Sequence, residues 1–300
     1  MSNYGLLING ELVKSDMTLD VINPATEEVF TQVPRADEAM LDQAVAGAKV
    51  AAAKWALTDI DERKALIHKI ADAINANIEP LAKALTQEQG KPLAAATMEV
   101  QYAEIFCRYF TSLNLENEVL VDDENQRVEV QRTPLGVVAG ILPWNFPLLI
   151  GIYKIAPSIL AGNSIILKPA PTTPVVSVML GEILKDVVPA GLVNILVDDN
   201  DLGPKITSHP GIDKISFTGS TPTGKAIMSS AASTLKRITL ELGGNDAAIA
   251  LDDIDVKAAA QGIFNTAFIN SGQVCIALKR LYAHESIYDE LCEEIASLAR

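Results

Sequence analysis

A handful of side chains in this sequence combine reactive type with suggestive placement. Cys275 lies in "FNTAFINSGQVCIALKR" (264–280), behind a Gly-Gln pair and ahead of Lys279 and Arg280. A thiol of ordinary pKa, near ~8.5, is only a few per cent thiolate at neutral pH, so it becomes a nucleophile only where a cation favours ionisation; elsewhere it is apolar packing. Glu241 ends the apolar run "RITLEL" and is followed by Gly243 and Gly244, which leave room for something to approach the backbone. Desolvation there would suit the carboxylate to base work, while an ion pair would make it structural. Lys168, in "ILKPAP", ends another apolar run. Its ammonium needs an anion or hydroxyls, or else it snorkels to solvent. In "FTGSTPTG", Gly219 and Gly224 stand where backbone N–H groups at a helix start can meet a phosphate. The stretch is not G-x-G-x-x-G, and a tight strand-to-helix turn accounts for the same glycines.

The flanking pattern says what must position these groups. "GVVAGIL" (136–142) is apolar on both faces, as a central parallel strand requires. After it come helix "LLIGIYKIAPSILAG", strand "SIILKP", a helix near 174–187, strand "VNILV", a helix near 201–208, strand "KISFTG", a helix from Pro222 and strand "RITLEL". Such alternation predicts an α/β fold: a Rossmann-like parallel sheet with helices on both faces and ligands outside the carboxyl ends of the strands. "PWNFP", "KPAPTTP" and "FTGSTPTG" each follow a strand. Upstream, Asp37 and Asp61 are expected to N-cap two helices, the apolar set Leu66, Ile67, Ile70, Ile74, Ile78 and Leu81 recurs at helical spacing, and Gly90 with Pro92 reads as a stop. "LINGEL" predicts a hairpin at Asn9-Gly10, and "RVEVQRT" an exposed strand.

Composition narrows the function classes. A net charge of −14 over 300 residues argues against nucleic acid or an anionic membrane as partner. The uncharged run from Leu135 to Tyr153 has the length of a membrane span, but Pro143, Asn145 and Pro147 sit in its middle and favour a strand, a turn and a helix. The N-terminus lacks a basic and then apolar export pattern, which gives a cytoplasmic expectation. Three widely spaced cysteines, Cys107, Cys275 and Cys292, without C-x-x-C or a nearby histidine, suggest neither a disulfide scaffold nor a metal site.

Taken together, "PWNFP", "ILKPAPTTP", "FTGSTPTGKAI", "LELGGNDA" and "FINSGQVCIALK", in that order, resemble the aldehyde dehydrogenase superfamily over nearly the whole chain. The resemblance implies NAD(P)-dependent oxidation of an aldehyde to an acid through a thiohemiacetal and a thioester. It implies Cys275 as nucleophile, Asn145 with the Cys275 backbone N–H as oxyanion donors, Glu241 as the base that releases the acid, and Lys154 as an aid to proton relay, although Lys154 could equally be a surface end of its helix. For the cofactor, NAD or NADP, it implies Lys168 on the adenosine ribose, Gly219 and Ser220 near the pyrophosphate, Ile141, Pro143 and Trp144 along the adenosine side, and Leu242. Phe146, Ile150, Tyr153, Val274 and Ile276 would line an apolar aldehyde channel, and no metal is implied. Residues 1–115 and 134–242 would form the cofactor-binding domain, 116–133 an oligomerisation arm of a homodimer or homotetramer, and 243–300 the start of a catalytic domain.

Two departures matter. Many NAD-preferring members carry a glutamate three residues after the lysine; Pro171 stands there, which leaves NADP open. Asn245 replaces a common lysine and alters no nameable role. The family's later "E-x-F-G-P" segment and C-terminal piece are not among these 300 residues, so the catalytic domain is expected to be truncated. Two other classes stay open: a catalytically silent homologue serving as a binding or structural protein, and a thiol hydrolase or acyltransferase pairing Cys275 with His68, His209 or His284.

Overall fold

Asn9 and Gly10 have φ of 53° and 85°, the left-handed pair that a two-residue hairpin demands. They join β1 (Leu6–Ile8) to β2 (Glu11–Val13) in antiparallel register. The Asn9 backbone N–H donates to Asn194 Oδ1 at 2.8 Å and its side-chain amide to the Gln43 carbonyl at 3.0 Å. A Cβ at Gly47 would fall 1.7 Å from Asn9 Oδ1, so the first helix meets this hairpin through a glycine.

The computed structural model describes residues 4–300. A second antiparallel pair, β3 (Thr18–Asn23) and β4 (Glu28–Pro34), precedes α1 (Glu38–Trp55), α2 (Ile60–Asn75), α3 (Ile78–Gln89) and α4 (Leu93–Thr111). Asp37 caps α1 as expected, accepting the Met40 N–H at 2.8 Å. Asp61 does not cap; Asp59 precedes α2, and Asp61 lies in its first turn, where it still favours the helix dipole. The apolar run read as continuous breaks at Ala76-Asn77, giving α2 and α3, and Pro92 opens α4 rather than merely ending α3. Gly90, at φ 88°, does end α3.

After an antiparallel pair, β5 (Glu118–Asp122) and β6 (Arg127–Val130), the alternating run follows: β7 (Val137–Ile141), α5 (Pro147–Leu160), β8 (Ser164–Lys168), α6 (Val175–Leu184), β9 (Val193–Ile195), α7 (Gly203–Ser208), β10 (Lys214–Thr218), α8 (Thr221–Ala232) and β11 (Arg237–Glu241). The sheet order is β11-β10-β7-β8-β9-β1-β2, parallel from β11 to β9, with β1 antiparallel to both β9 and β2. β7, β8 and β9 are buried throughout. This is the α/β architecture with a parallel-rich sheet that the alternation predicts. No helix among the described residues is long and apolar enough to cross a membrane; the uncharged run from Leu135 resolves into β7, a turn and the first half of α5.

The chain divides into two compact units, one running up to Thr218 and including Pro222–Glu241, the other comprising Gly219–Thr221 and Leu242–Arg300. The second unit contains β12 (Asp246–Ala250), α9 (Val256–Phe268), β13 (Leu278–Ala283) and α10 (Tyr288–Leu298), with β12 and β13 parallel. Asp255 caps α9 through the Ala258 N–H, and Ala250, Val256, Ala260, Ile287 and Leu291 make a small core.

Within the first unit, α5 and α6 begin without caps of their own, because Phe146 and Pro174 offer no side-chain acceptor. Their orphan N–H groups are met by carboxylates from the upstream helices. Glu99 Oε1 accepts from Leu148 and Leu149 at 3.1 and 3.2 Å, and Glu88 accepts from Val175 and Val176 at 2.6 and 3.0 Å. Glu99 Oε2 pairs with Lys91, and both side chains are essentially inaccessible, at 0% and 1%. Burial pushes the Glu88 carboxyl up to about 8, raises that of Glu99 and lowers the Lys91 ammonium, despite the attraction within the pair. Removing one partner leaves the other buried charge uncompensated. Lys91→Met is therefore expected to destabilise the first unit by about 3–5 kcal/mol, and Lys91→Met/Glu99→Gln to recover part of that loss. Urea unfolding measures both, and strictly additive losses from the two single changes would dissolve the coupling.

Candidate active site

The chain runs from β7 through β8 to β9, then returns to lay β10 on the other flank of β7. The strand order thus reverses between β7 and β10, and a crevice outside the carboxyl ends of the strands is where open parallel sheets take ligands. The turn leaving β7 holds Pro143, Trp144, Asn145 and Phe146. Ile141 is buried, Trp144 is exposed, and Pro143, Asn145 and Phe146 are half-buried. Lys91 fixes this turn from below: its ammonium donates to the Asn145 carbonyl at 2.8 Å and stands 4.0 Å from the Phe146 ring centroid. Asn145 Oδ1 accepts the Phe146 N–H at 3.0 Å, which turns the carboxamide back on its own backbone. On α5, Ile150 and Tyr153 are half-buried, and the Tyr153 ring stacks edge-on against Phe106 with centroids 4.4 Å apart.

Lys154 is not a surface residue. It is buried, its stem running past Gly140 of β7, where a Cβ would lie 3.3 Å from Lys154 Cδ, and its ammonium donates to Ser216 Oγ at 3.1 Å and Thr218 Oγ1 at 2.9 Å on β10. Glu241 ends β11 directly opposite Thr218 in the parallel register. Burial pushes the Lys154 pKa down to about 8, and the charge of Glu241 opposes that fall. β11 is an edge strand of alternating exposure, so Glu241 is exposed instead of desolvated.

Lys168 ends β8 in buried surroundings and does not snorkel. Its ammonium forms an ion pair with Asp198 Oδ1 at 2.7 Å and donates to Asn200 Oδ1 at 3.1 Å. The ammonium and the exposed Asn200 carboxamide together can donate to and accept from sugar hydroxyls, so the donor set at this strand end fits a ribose.

Cys275 and its neighbours Val274 and Ile276 belong to the second unit, as do Gly219, Ser220 and Leu242; the other candidates belong to the first. Cys275 is half-buried, and Ile276 is exposed. Asn270, Ser271 and Gly272 have φ of 49°, 57° and 75°, three successive left-handed residues of which only the last is free of the Cβ penalty. Such strain gathers where a loop presents a functional group. A Cβ on Gly244 would lie 2.6 Å from the Cys275 carbonyl oxygen, so the glycine after Gly243 lets the chain entering β12 pass close to the cysteine backbone. The two basic residues beyond the cysteine bind backbone instead of thiolate: Lys279 donates to the Val274 carbonyl and Arg280 to that of Asn245, each at 2.8 Å. His209 is engaged by Asp42 and the Gly211 N–H, and His284 by Ser286.

Reasoning from the sequence missed Lys91, Glu99, Asp198, Asn200 and the β10 hydroxyls of Ser216 and Thr218. Lys91 and Glu99 are separated from Asn145 by about fifty positions, and only the oddity of a lysine between Gly90 and Pro92 marks the first of them. Asp198 left a clearer trace, since "VDDND" sets charge immediately behind the strand "VNILV".

The aldehyde dehydrogenase family model matches residues 12–300. Aldehyde dehydrogenase LUC3 of a Fusarium species is 42% identical over 283 residues, 94% of this chain and 60% of its own length. A crystal structure of aldehyde dehydrogenase from Brucella melitensis biovar abortus 2308 is 36% identical with a TM-score of 0.95, over 99% of this chain and 63% of that one. An NADP-dependent enzyme from E. coli is 33% identical with the same TM-score of 0.95, over 98% and 63%. The chain thus spans about three fifths of the length of the relatives it matches, and it belongs to the aldehyde dehydrogenase family.

Proposed function

We propose that the protein oxidises an uncharged aldehyde to the carboxylic acid with NAD(P)+, through covalent catalysis on Cys275. The observation that carries this reading is the set of polar groups along one edge of the first unit's sheet: Asn145 behind β7, Lys154 set on the β10 hydroxyls, and Glu241 at the end of β11. Packing alone calls for none of them.

The Cys275 thiolate adds to the aldehyde carbon, and the charge that develops on oxygen is met by the Asn145 carboxamide and the Cys275 N–H, donors of a kind whose loss typically costs ~10²–10³ in rate. When bound, the oxidised nicotinamide supplies the acceptor for the hydride that leaves the thiohemiacetal carbon. Lys168 would hold the adenosine ribose, with Ile141, Pro143, Trp144 and Leu242 alongside it and Gly219 and Ser220 toward the pyrophosphate. The acyl group left on Cys275 is released by water that Glu241 deprotonates, and Lys154 takes the proton onward. Phe146, Ile150, Tyr153, Val274 and Ile276 would give the substrate largely apolar surface without a charged side chain, which favours an uncharged aldehyde. The neighbour described as NADP-dependent supports a nicotinamide cofactor. Exposed Val119, Leu120, Val128 and Val130 on the β5–β6 pair support the oligomerisation arm.

Three measurements on the full-length protein bear on these roles. Cys275→Ser is expected to lower aldehyde oxidation by at least roughly 10³-fold while dinucleotide binding persists, and substantial remaining turnover would sink the covalent route. Glu241→Gln should keep a pre-steady-state burst of reduced cofactor but slow turnover ~10²–10⁴-fold; equal loss in both phases would remove Glu241 from the base role. Lys154 is charged below its pKa of about 8 and able to accept a proton above it. Acyl release should therefore accelerate as pH rises through that value, and Lys154→Met should flatten the profile. An unchanged profile in the variant would reduce Lys154 to a packing residue.

A further inference from the structure

The loop after β9 brings acidic groups to the ammonium that the proposed function assigns to the adenosine ribose, and the inference rests on that assignment. Asp198 is wholly buried and ion-paired with Lys168 at 2.7 Å. Its other oxygen, Oδ2, accepts the Leu202 N–H at 3.0 Å, so the carboxylate cannot swing away from the lysine. Asn200, at φ 64°, turns its side-chain oxygen to the same ammonium. Asp199 and Asp201 follow in the loop, and Asp201 pairs with Arg35 at 2.7 Å. The charge of Lys168 is thus answered in full by Asp198, and the loop's other paired acid, Asp201, is answered by Arg35. Pro171, beyond the end of β8, adds no charge.

The two dinucleotides differ here by one group. The ribose 2′-hydroxyl of NAD is neutral and can accept from Lys168 while the buried Asp198 stays paired beneath it. A 2′-phosphate carries about −1.5 to −2 at neutral pH and meets a lysine whose charge is already compensated. A fixed acid at this ribose is the general device for choosing NAD, whereas a free cation accommodates the phosphate. Specificity of this kind comes from the repulsive element as much as from the attractive one.

We infer that Asp198, held against Lys168, is the specificity-determining residue that selects NAD over NADP in this protein, acting in place of a carboxylate at position 171.

The test is titration of the full-length protein with NAD and NADP by calorimetry, together with ADP and adenosine 2′,5′-bisphosphate as probes of the adenosine end alone. The native protein should bind NAD about tenfold or more tightly than NADP, with the gap narrowing at high salt as screening weakens the repulsion. Asp198→Asn keeps the shape and the Leu202 contact; it should tighten NADP binding about fivefold or more, and the bisphosphate should follow NADP. Native protein that binds NADP as tightly as NAD overturns the inference, as does an unaltered ratio in Asp198→Asn. Should that variant not fold, the native titrations with ADP and the bisphosphate decide alone, equal affinities overturning it. Lys168→Gln separates the underlying assignment. If it weakens both dinucleotides, the ribose contact stands and only the charge argument is at stake. If it alters neither, the ribose lies elsewhere and the inference falls with it.

Discussion

Two helices of the first unit start with residues that cannot cap them, and the fold meets that constraint with buried carboxylates from elsewhere in the chain. Glu99 closes the N-terminus of α5 and Glu88 that of α6, while Lys91 balances Glu99 and reaches on to the Asn145 carbonyl. The helix dipoles favour negative charge at those ends, and the low local dielectric makes any unpaired member expensive. The network is therefore close to all-or-none. It also fixes geometry, because the turns it holds lead out of β7 and β8, the strands whose carboxyl ends carry Asn145 and Lys168. The upstream helices could be read as packing alone, yet they supply the groups that bind the N-termini of α5 and α6 and the Asn145 carbonyl.

Local chemistry was legible from the sequence, and distant pairing was not. Asn9-Gly10 announced its hairpin, Asp37 its cap and Gly90 its helix end, because in each case the residue acts on backbone within a few positions. The alternating strands and helices from Gly136 onward were equally plain, since a buried parallel strand leaves a continuous apolar run. The failures have a common cause. Asp61 was chosen as a cap because it precedes an apolar run, but helices start where the backbone turns, and Asp59 stands there. The break between α2 and α3 falls inside a periodic stretch, where the local marks are Asn77 ahead of α3 and Pro80 in its first turn.

For the site, residue types could be named in advance and their partners could not. For Glu241 the sequence leaves desolvation and an ion pair both open, but its strand lies at the sheet edge with Glu241 exposed, and edge position follows from crossover order instead of composition. Lys279 and Arg280 sit close enough to Cys275 in sequence to look like thiolate partners. Their cations instead hold carbonyls of the loop and of the chain entering β12, so their contribution is to the shape of the cysteine turn.

The contrast between Lys154 and Lys168 shows how one residue type yields two chemistries in one sheet. Both are buried near the carboxyl edge, and both would be costly to leave unsatisfied. Lys154 is answered on β10 by the hydroxyls of Ser216 and Thr218, which accept its hydrogens but offer no compensating charge, so burial prevails and the pKa falls to where the amine can exchange protons near neutrality. Lys168 is answered by the carboxylate of Asp198, which supplies the compensating charge that the hydroxyls lack. Partner choice, hydroxyl against carboxylate, is the difference on which the proposed roles of the two lysines rest. In each case the partner comes from a different strand or loop than the lysine, so the division of labour is written into the order in which β7, β8, β9 and β10 are laid into the sheet.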